Sequence, residues 1–200
     1  MTSPTNEPPS DEVPSTPTST TPPRSSARLY TEWAITIVLA ILLSLVVRTY
    51  VAQAFSIPSG SMEPTLHVGD RVIVSKLSTR FGAIHIGEIL VFRAPAAVAV
   101  KCGDNYPDLI KRVIGLPGDT LSSKGNTIYV NGRPLPQPWA HNLPLTPAIT
   151  TTKVPANHYF MLGDNEYDSC DSRFWGTIPK SSIIGAAVLR IWPISRIGSL

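Results

Sequence analysis

The sequence predicts a mainly β protein, with an antiparallel β domain behind one N-terminal transmembrane helix. Residues 34–47 form an apolar run without a charge, and six later stretches rich in Val, Ile and Tyr are separated by Gly, Pro, Asp and Asn. No helical period of useful length follows residue 60. These patterns divide the chain into a tail (1–28), a transmembrane anchor (29–54) and a β-rich domain (55–200).

The tail is predicted to be disordered and cytoplasmic. The chain has 20 prolines in 200 residues, and the first 28 residues contain many of them among Ser and Thr, with almost nothing to bury. These prolines are Pro4, Pro8, Pro9, Pro14, Pro17, Pro22 and Pro23. The net charge of +3 is small and the basic residues are scattered, so the composition gives little support to nucleic-acid binding.

The apolar run AITIVLAILLSLVV can be continued to Ala54, which gives about 21 residues if Arg48 reaches the headgroups. That length spans a bilayer. Arg24 and Arg28 precede the run and favour a cytoplasmic N-terminus, although Arg48 opposes this. A rival interpretation is a secretory signal cleaved after Ala52-Gln53-Ala54. Both place residues 55–200 outside the cytoplasm, and a buried core helix is disfavoured because no helical bundle follows.

The predicted strands follow in order. They are RVIVSKL (71–77), EILVFRA (88–94), LIKRVIGL (109–116), TIYVNG (127–132), HYFML (158–162) and IIGAAVLRIW (183–192). Asn131-Gly132 is the strongest hairpin signal, because both central positions of a tight primed turn need positive φ. Most of these apolar residues are expected to be core.

The segment SIPSGSMEPTL places Ser59, Gly60 and Ser61 between two prolines, where neither a strand nor a membrane helix is expected. A hydroxyl nucleophile there would need a base. The nucleophile elbow G-x-S-x-G is absent, because Glu63 follows Ser61 by two residues, and no Ser precedes a Lys by three. The histidines have no obvious carboxylate partner, which weakens a Ser-His-Asp arrangement; they are His67, His85, His141 and His158.

A lysine is the remaining candidate base. Free lysine has a pKa near 10.4, so the base should be a lysine whose pKa is lowered by apolar neighbours. Lys111 follows Leu109 and Ile110, and Lys76 in VIVSKL is a weaker competitor. From composition alone, either lysine is also compatible with a solvated strand position. No clustered His, Cys and carboxylate spacing predicts a metal site, and no cofactor is expected.

Four stretches resemble the ordered boxes of bacterial type I signal peptidases (leader peptidases), which are membrane-anchored Ser/Lys proteases. They are SIPSGSMEPTL (56–66), GDRVIVSKL (69–77), KRVIGLPGD (111–119) and GDNEYDSCDSRFWG (163–176). The resemblance implies a signal-peptidase-like β domain with Ser61 as nucleophile and Lys111 as general base. It further implies that Ser59 helps to stabilise the oxyanion, that Ser169 orients the lysine amine, and that Asp171 and Arg173 form a supporting charged pair.

The resemblance also implies the substrate and the location. The expected substrate is the signal peptide of an exported preprotein, paired with an edge strand and cleaved after a small-x-small (Ala-x-Ala) site. By motif position, the pocket would be lined by Phe55, Ile57, Met62, Leu66 and Ile110. The protein is expected in the cell membrane as a single-pass protein with membrane lipid as a partner, and its catalytic domain extracytoplasmic. Family members retain the anchor, so Ala52-Gln53-Ala54 becomes a hypothetical self-cleavage site.

Two features depart from the family pattern. Cys170 stands where a small residue is usual, and Cys102 is the only other cysteine, so a disulfide is possible outside the cytoplasm; two buried free thiols are the alternative. Glu166 and Tyr167 differ within the fourth box. Rival functions are a self-cleaving repressor-type Ser/Lys protease, which lacks its DNA-binding helices here, and a catalytically inactive membrane-anchored β-domain binding module.

Overall fold

The computed structural model describes residues 26–103, 105–140 and 145–200, with side chains from residue 29 onward. The predicted disordered tail therefore lies outside the described residues, apart from the backbone of its last three residues. The described residues divide into two units, with the boundary between Leu42 and Leu43. All strands of the described residues belong to the second unit.

Helix α1 (Ser26–Val46) continues into a π-helical turn (Val47–Val51). Residues Leu29–Val51 form a helical segment of 23 residues, which is long and apolar enough to cross a membrane. Its most apolar 18-residue window has a mean hydropathy of 2.3 and contains no buried residue. Residues 52–54, which the sequence assigned to the anchor, instead begin the first strand. Cleavage after Ala54 would therefore remove three of the five residues of that strand.

The structure confirms a mainly antiparallel β fold, in two sheets. In chain order the strands are β1 (Ala52–Ser56), β2 (Arg71–Ser75), β3 (Ile89–Arg93), β4 (Asp108–Gly115), β5 (Thr120–Lys124), β6 (Thr127–Val130), β7 (Arg133–Pro134), β8 (Thr152–Lys153), β9 (His158–Leu162), β10 (Ile178–Pro179), β11 (Ile183–Trp192) and β12 (Gly198–Ser199). The eight-stranded sheet has the order β1-β2-β11-β3-β4-β9-β10, with β12 beside β11. The four-stranded sheet has the order β7-β6-β5-β8.

All six predicted strands are present, and the predicted hairpin joins β6 to β7. Its central residues Asn131 and Gly132 have φ angles of 52° and 77°, as a primed turn requires. Strands β1, β5, β8, β10 and β12 were not predicted. Most of them are short, polar or interrupted by proline, and such stretches carry no clear alternation.

Three short helices occur where the sequence predicted none: α2 (Lys76–Phe81), α3 (Ala96–Cys102) and α4 (Ser172–Trp175). The predicted strand 71–77 is therefore two residues too long. The Ser75 side chain accepts a hydrogen bond from the backbone N–H of Ser78, an N-cap that starts α2 at Lys76. Such helices are too short to show a hydrophobic period, because one or two turns display only one or two apolar positions.

Three clusters of buried apolar side chains hold the sheets together. Two belong to the eight-stranded sheet, one around Phe92 and Val113 and the other around Val74 and Ile110. The third, around Leu121, underlies the four-stranded sheet. Strand β4 contributes to all three clusters, and its last six residues are all buried, so it is a central element of the fold.

Candidate active site

The Ser61 turn lies between β1 and β2. Residues Gly60–Met62 form a single 3₁₀ turn, and Ser61 is only 6% exposed. Asn165 holds this turn from outside, since its backbone N–H donates to the Ser61 carbonyl and its side-chain Nδ2 donates to the Gly60 carbonyl, both at 3.2 Å. The turn is thus attached to the loop after β9, and the serine hydroxyl is held in one place.

Lys111 reaches Ser61 from β4. Its ammonium nitrogen Nζ donates to Ser61 Oγ at 2.5 Å, and the lysine is 3% exposed. Strand β4 places Lys111 opposite Leu90 of β3. Fifty residues of chain separate the two partners, and the fold brings them together. A buried amine in contact with a hydroxyl can remove its proton when the amine is neutral, and burial favours the neutral form.

The other two serines singled out in the sequence lie at the same place. Ser59 Oγ is 3.4 Å from Ser61 Oγ, and either hydroxyl can donate. Ser169 is 6% exposed and lines one cavity of about 400 Å³ together with Ser59, Ser61 and Lys111. Ser169 Oγ makes no hydrogen bond within the described part of the chain. The structure therefore brings Ser169 to the site without the expected hydrogen bond to the lysine.

Gly163 explains how Ser169 and the Ser61 turn come so close. A Cβ atom at Gly163 would lie 2.6 Å from the Ser169 Cβ and would also collide with the Ser61 carbonyl oxygen. Any larger residue would push Ser169 or the turn away. The need for a glycine at position 163 was not predicted from the sequence, although Gly163 opens the GDN that begins the fourth box.

The predicted pair Asp171 and Arg173 does form, and both side chains are fully buried. Arg173 Nη2 and Asp171 Oδ2 are 2.7 Å apart, and Arg173 also donates to the backbone carbonyls of Glu166 and Ser169. Asp171 accepts from the backbone N–H of Gly163 at 3.3 Å. The pair ties the loop carrying Ser169 to the end of β9, which is a structural role.

A second buried ion pair was missed. Arg112, the residue after Lys111, donates twice to Asp164, with Nε to Oδ1 at 2.8 Å and Nη2 to Oδ2 at 2.5 Å. Thr65 Oγ1 also donates to Asp164 Oδ2 at 2.5 Å. The guanidinium lies 4.5 Å from the centroid of the Trp139 ring. These four residues come from four different segments, which the group connects around the site. The KR and GD pairs at the starts of two boxes were its only sequence signal.

A narrow groove beside Ser61 is lined from two sides. Residues 55–59 form one wall and residues 106–111, with Tyr106 and Leu109, form the other. Of the predicted pocket residues, Phe55, Ile57 and Ile110 line this groove. Met62 and Leu66 do not: both are 0% exposed and belong to the core cluster around Val74. By motif position both residues were expected beside the nucleophile, but their side chains pack into the core instead.

Cys102 and Cys170 form a disulfide with a Cα–Cα distance of 6.1 Å across 68 residues of sequence. It joins the end of α3 to the residue next to Ser169, and both cysteines line the cavity that contains the serines. The bond therefore ties together two segments that line the cavity of the candidate site.

The competing bases lie elsewhere. Lys76 donates to the carbonyls of Arg48 and Thr49, at 3.0 and 3.3 Å, and not to Ser61. His67 hydrogen-bonds Arg196, His85 contacts Glu88 and His158 contacts the Ala156 carbonyl. His141 lies outside the described residues.

Glu166 is the titratable group of the fourth box whose environment is most altered. Burial raises the pKa of its carboxyl from 4.5 to about 7; Arg173 opposes this change, and Asp171 and Asp164 add to it. Only 4% of the residue is exposed. Near neutral pH this side chain therefore titrates within the loop that carries Ser169.

Comparison with known proteins gives a consistent result. The family model described as signal peptidase, peptidase S26, matches residues 30–192. A signal peptidase I of Leptolyngbya laminosa is 40% identical over 200 residues, which cover 100% of this chain and 97% of that protein. A probable signal peptidase I-2 of Synechocystis sp. is 42% identical over 168 residues, covering 82% of this chain and 74% of the relative. A crystal structure of a signal peptidase I from Enterococcus faecalis has 29% identity and a TM-score of 0.44, covering 52% of this chain and 96% of that chain.

Proposed function

The chain belongs to the signal peptidase family, peptidase S26, and from this we propose that it removes N-terminal signal peptides from exported preproteins as a membrane-anchored serine endopeptidase. The observation that carries the catalytic part is the 2.5 Å contact between Lys111 Nζ and Ser61 Oγ in a buried site. The helical segment Leu29–Val51 is the proposed anchor.

The proposed reaction uses Ser61 as nucleophile and Lys111 as general base. Neutral Lys111 takes the hydroxyl proton while Ser61 Oγ bonds to the scissile carbonyl carbon. The resulting ammonium then gives this proton to the leaving amine as the C–N bond breaks, which leaves an acyl-enzyme. Lys111 next takes a proton from water, the hydroxide attacks the ester carbon, and Ser61 regains its proton.

Ser59 is the proposed stabiliser of the tetrahedral oxyanion, together with the backbone N–H of Ser61. The Ser59 hydroxyl already lies 3.4 Å from Ser61 Oγ, so it can turn toward an oxygen that forms beside the nucleophile. Ser169 is the proposed positioning residue for the lysine amine. Its buried hydroxyl has no hydrogen bond within the described part of the chain, which is consistent with a role that begins when the lysine moves.

The proposed substrate segment lies extended in the groove between residues 55–59 and residues 106–111. The groove is narrow and lined by Phe55, Ile57 and Ile110, which favours small side chains next to the cleaved bond and hence a small-x-small site. An N-terminus on the cytoplasmic side places residues 55–200 outside, where signal peptides emerge. A shared membrane raises the effective concentration of enzyme and substrate.

The test is cleavage of a preprotein with an Ala-x-Ala site by the full chain in detergent micelles. Ser61→Ala and Lys111→Ala are each expected to lower kcat by roughly 10⁶, and the double variant to be no worse, because the two residues act as a unit. Lys153→Ala is the matched control, since this lysine is exposed on β8. Wild-type cleavage should resist a chelator.

Two other outcomes would change the proposed base or the proposed function. Activity that survives Lys111→Ala but is lost in Lys76→Ala would make Lys76 the base. No cleavage by the wild-type chain, with intact binding of the signal peptide, would support the non-catalytic binding module instead.

A further inference from the structure

A basic cavity lies at the end of the helical segment Leu29–Val51. None of the candidate active-site residues lines it. Its volume is about 690 Å³, a size typical of small-molecule sites. Four cations line it, namely Lys76, Arg80, Arg93 and Lys180, and no Asp or Glu of the described residues does so. Four of the chain's 17 Lys and Arg residues therefore meet at one cavity.

The four cations come from three separate elements, so their convergence is a property of the fold. Lys76 starts α2 and Arg80 lies in its last turn, Arg93 ends β3, and Lys180 begins the 3₁₀ turn before β11. Lys76 is held by the carbonyls of Arg48 and Thr49. No carboxylate within the described ranges forms an ion pair with Arg80, Arg93 or Lys180, although Arg93 lies opposite Asp108 in the strand register.

Like charges around one cavity repel each other, and an anion between them removes that repulsion. Guanidinium and ammonium groups together are the usual ligands of phosphate, which guanidinium binds with two parallel hydrogen bonds. The Ser181 side chain adds a hydroxyl to the same lining. The chemistry therefore points to a phosphate or phosphodiester group.

The position of the cavity favours a lipid as the source of that group. Thr49 and Tyr50 line it, and they belong to the last turn of the segment Leu29–Val51. The end of a membrane span lies at the level of the headgroups, where tyrosine is also common. The lining further includes Ile84, Ile183 and Ile184, which can contact the glycerol and the first methylenes of a lipid.

We propose that this basic cavity binds the phosphate headgroup of an anionic phospholipid and fixes the protein at the membrane surface. The proposal of a phosphate ligand depends only on the residues of the cavity. The proposal that a lipid supplies this phosphate also depends on the proposed membrane anchor. Four cations at the headgroup level give a substantial preference for an anionic lipid over a zwitterionic one. The headgroup would sit among α2, β3 and the start of β11, with its acyl chains directed to the bilayer.

The experiment is native mass spectrometry of the full chain in detergent micelles, titrated with phosphatidylglycerol or with phosphatidylcholine. The triple variant Arg80→Gln/Arg93→Gln/Lys180→Gln is compared with the control Lys124→Gln/Arg133→Gln/Lys153→Gln, which removes the same charge from exposed positions of the four-stranded sheet. We expect one preferred phosphatidylglycerol in wild type and control, and roughly tenfold or more weaker binding in the cavity variant. Unchanged thermal unfolding confirms that the variants fold.

Two results would overturn the proposal. Equal weakening in both triple variants, or no weakening in either, would show that net charge and not the cavity attracts the lipid. Saturable binding of inorganic phosphate that displaces phosphatidylglycerol would assign the cavity to a soluble anion and remove the lipid source. Because binding is read without catalysis, failure here leaves the proposed peptidase activity intact, and loss of cleavage leaves this result interpretable.

Discussion

Strand β4 carries two buried cations in succession, and their surroundings differ. Lys111 is 3% exposed and donates to the hydroxyl of Ser61, while Arg112 is 8% exposed and donates to the carboxylate of Asp164. Successive residues of a strand point to opposite faces, so one face of β4 meets a group of serines and the other meets an anion.

The two surroundings suit different roles: those of Lys111 suit the proposed proton transfer, and those of Arg112 suit a structural role. An arginine remains protonated in proteins, so the Arg112–Asp164 pair stays an ion pair and connects segments. A lysine can lose its proton when burial favours the neutral form, and a hydroxyl neighbour then becomes a proton donor to it. Burial and formal charge are similar on the two faces, and the type of partner decides the role of each residue.

The largest effects are expected when one buried group is removed from each face of β4. Asp164→Ala leaves the Arg112 charge buried without its carboxylate, so we expect the free energy of unfolding to fall by about 3–5 kcal/mol. Lys111→Met fills a similar volume without a charge and should keep or raise stability while abolishing cleavage. Urea unfolding of the full chain in detergent, followed by tryptophan fluorescence, measures both.

Asp168→Ala is the control for the first variant, because Asp168 is an exposed carboxylate in the same loop. Lys153→Met is the control for the second. A large loss of stability in Lys111→Met would mean that the lysine supports the fold as Arg112 does, and the contrast between the faces would disappear.

A smaller effect is expected at Ser59, on the hydroxyl face. Ser59→Ala should lower kcat for preprotein cleavage by roughly 10² to 10³, about 3–4 kcal/mol, with little change in KM, because an oxyanion donor acts mainly in the transition state. Ser59→Thr keeps the hydroxyl and should recover much of the rate. A rise in KM with unchanged kcat would assign Ser59 to substrate binding in the groove instead.

The smallest effect concerns the pH dependence of stability. The pKa of Glu166 is raised to about 7 from 4.5, so between these values the folded chain binds more protons at this residue than the unfolded chain does. Its contribution is therefore lost as pH rises from about 4.5 to 7. After allowance for solvent screening we expect a decrease of about 2 kcal/mol.

Glu166→Gln should remove this part of the pH dependence. Urea unfolding at pH 4.5, 6 and 7.5 compares the variant with the wild type and with Glu63→Gln, a carboxylate outside the fourth box. Parallel stability profiles in wild type and Glu166→Gln would show that Glu166 titrates normally.

Local sequence features were sufficient for much of the fold. The apolar run predicted the long helix, alternating or continuous Val and Ile predicted six strands, and Asn131-Gly132 predicted the hairpin turn at its observed place. These features depend on a few neighbouring residues, which the sequence displays directly. The end of the helix was predicted three residues too late, because Ala52-Gln53-Ala54 carries no charge or turn residue that would separate the helix from the strand.

Local residues made Ser61 and Lys111 candidates, and the order of the four boxes assigned them the roles of nucleophile and base. The Lys111–Ser61 contact spans 50 residues and depends on where β4 lies in the eight-stranded sheet. The Arg112–Asp164 pair spans 52 residues and depends on the pairing of β4 with β9, in which Arg112 lies opposite Leu162. A shift of β4 by one residue would exchange the faces of Lys111 and Arg112. The helix, most strands and the candidate residues could thus be predicted from the sequence. Three features depend on the folded chain: which cation contacts a hydroxyl, the burial of Met62 and Leu66 in the core, and the convergence of four cations on one cavity. The physical reason is that propensity acts over neighbouring residues, while partners distant in the chain are set by strand register and packing.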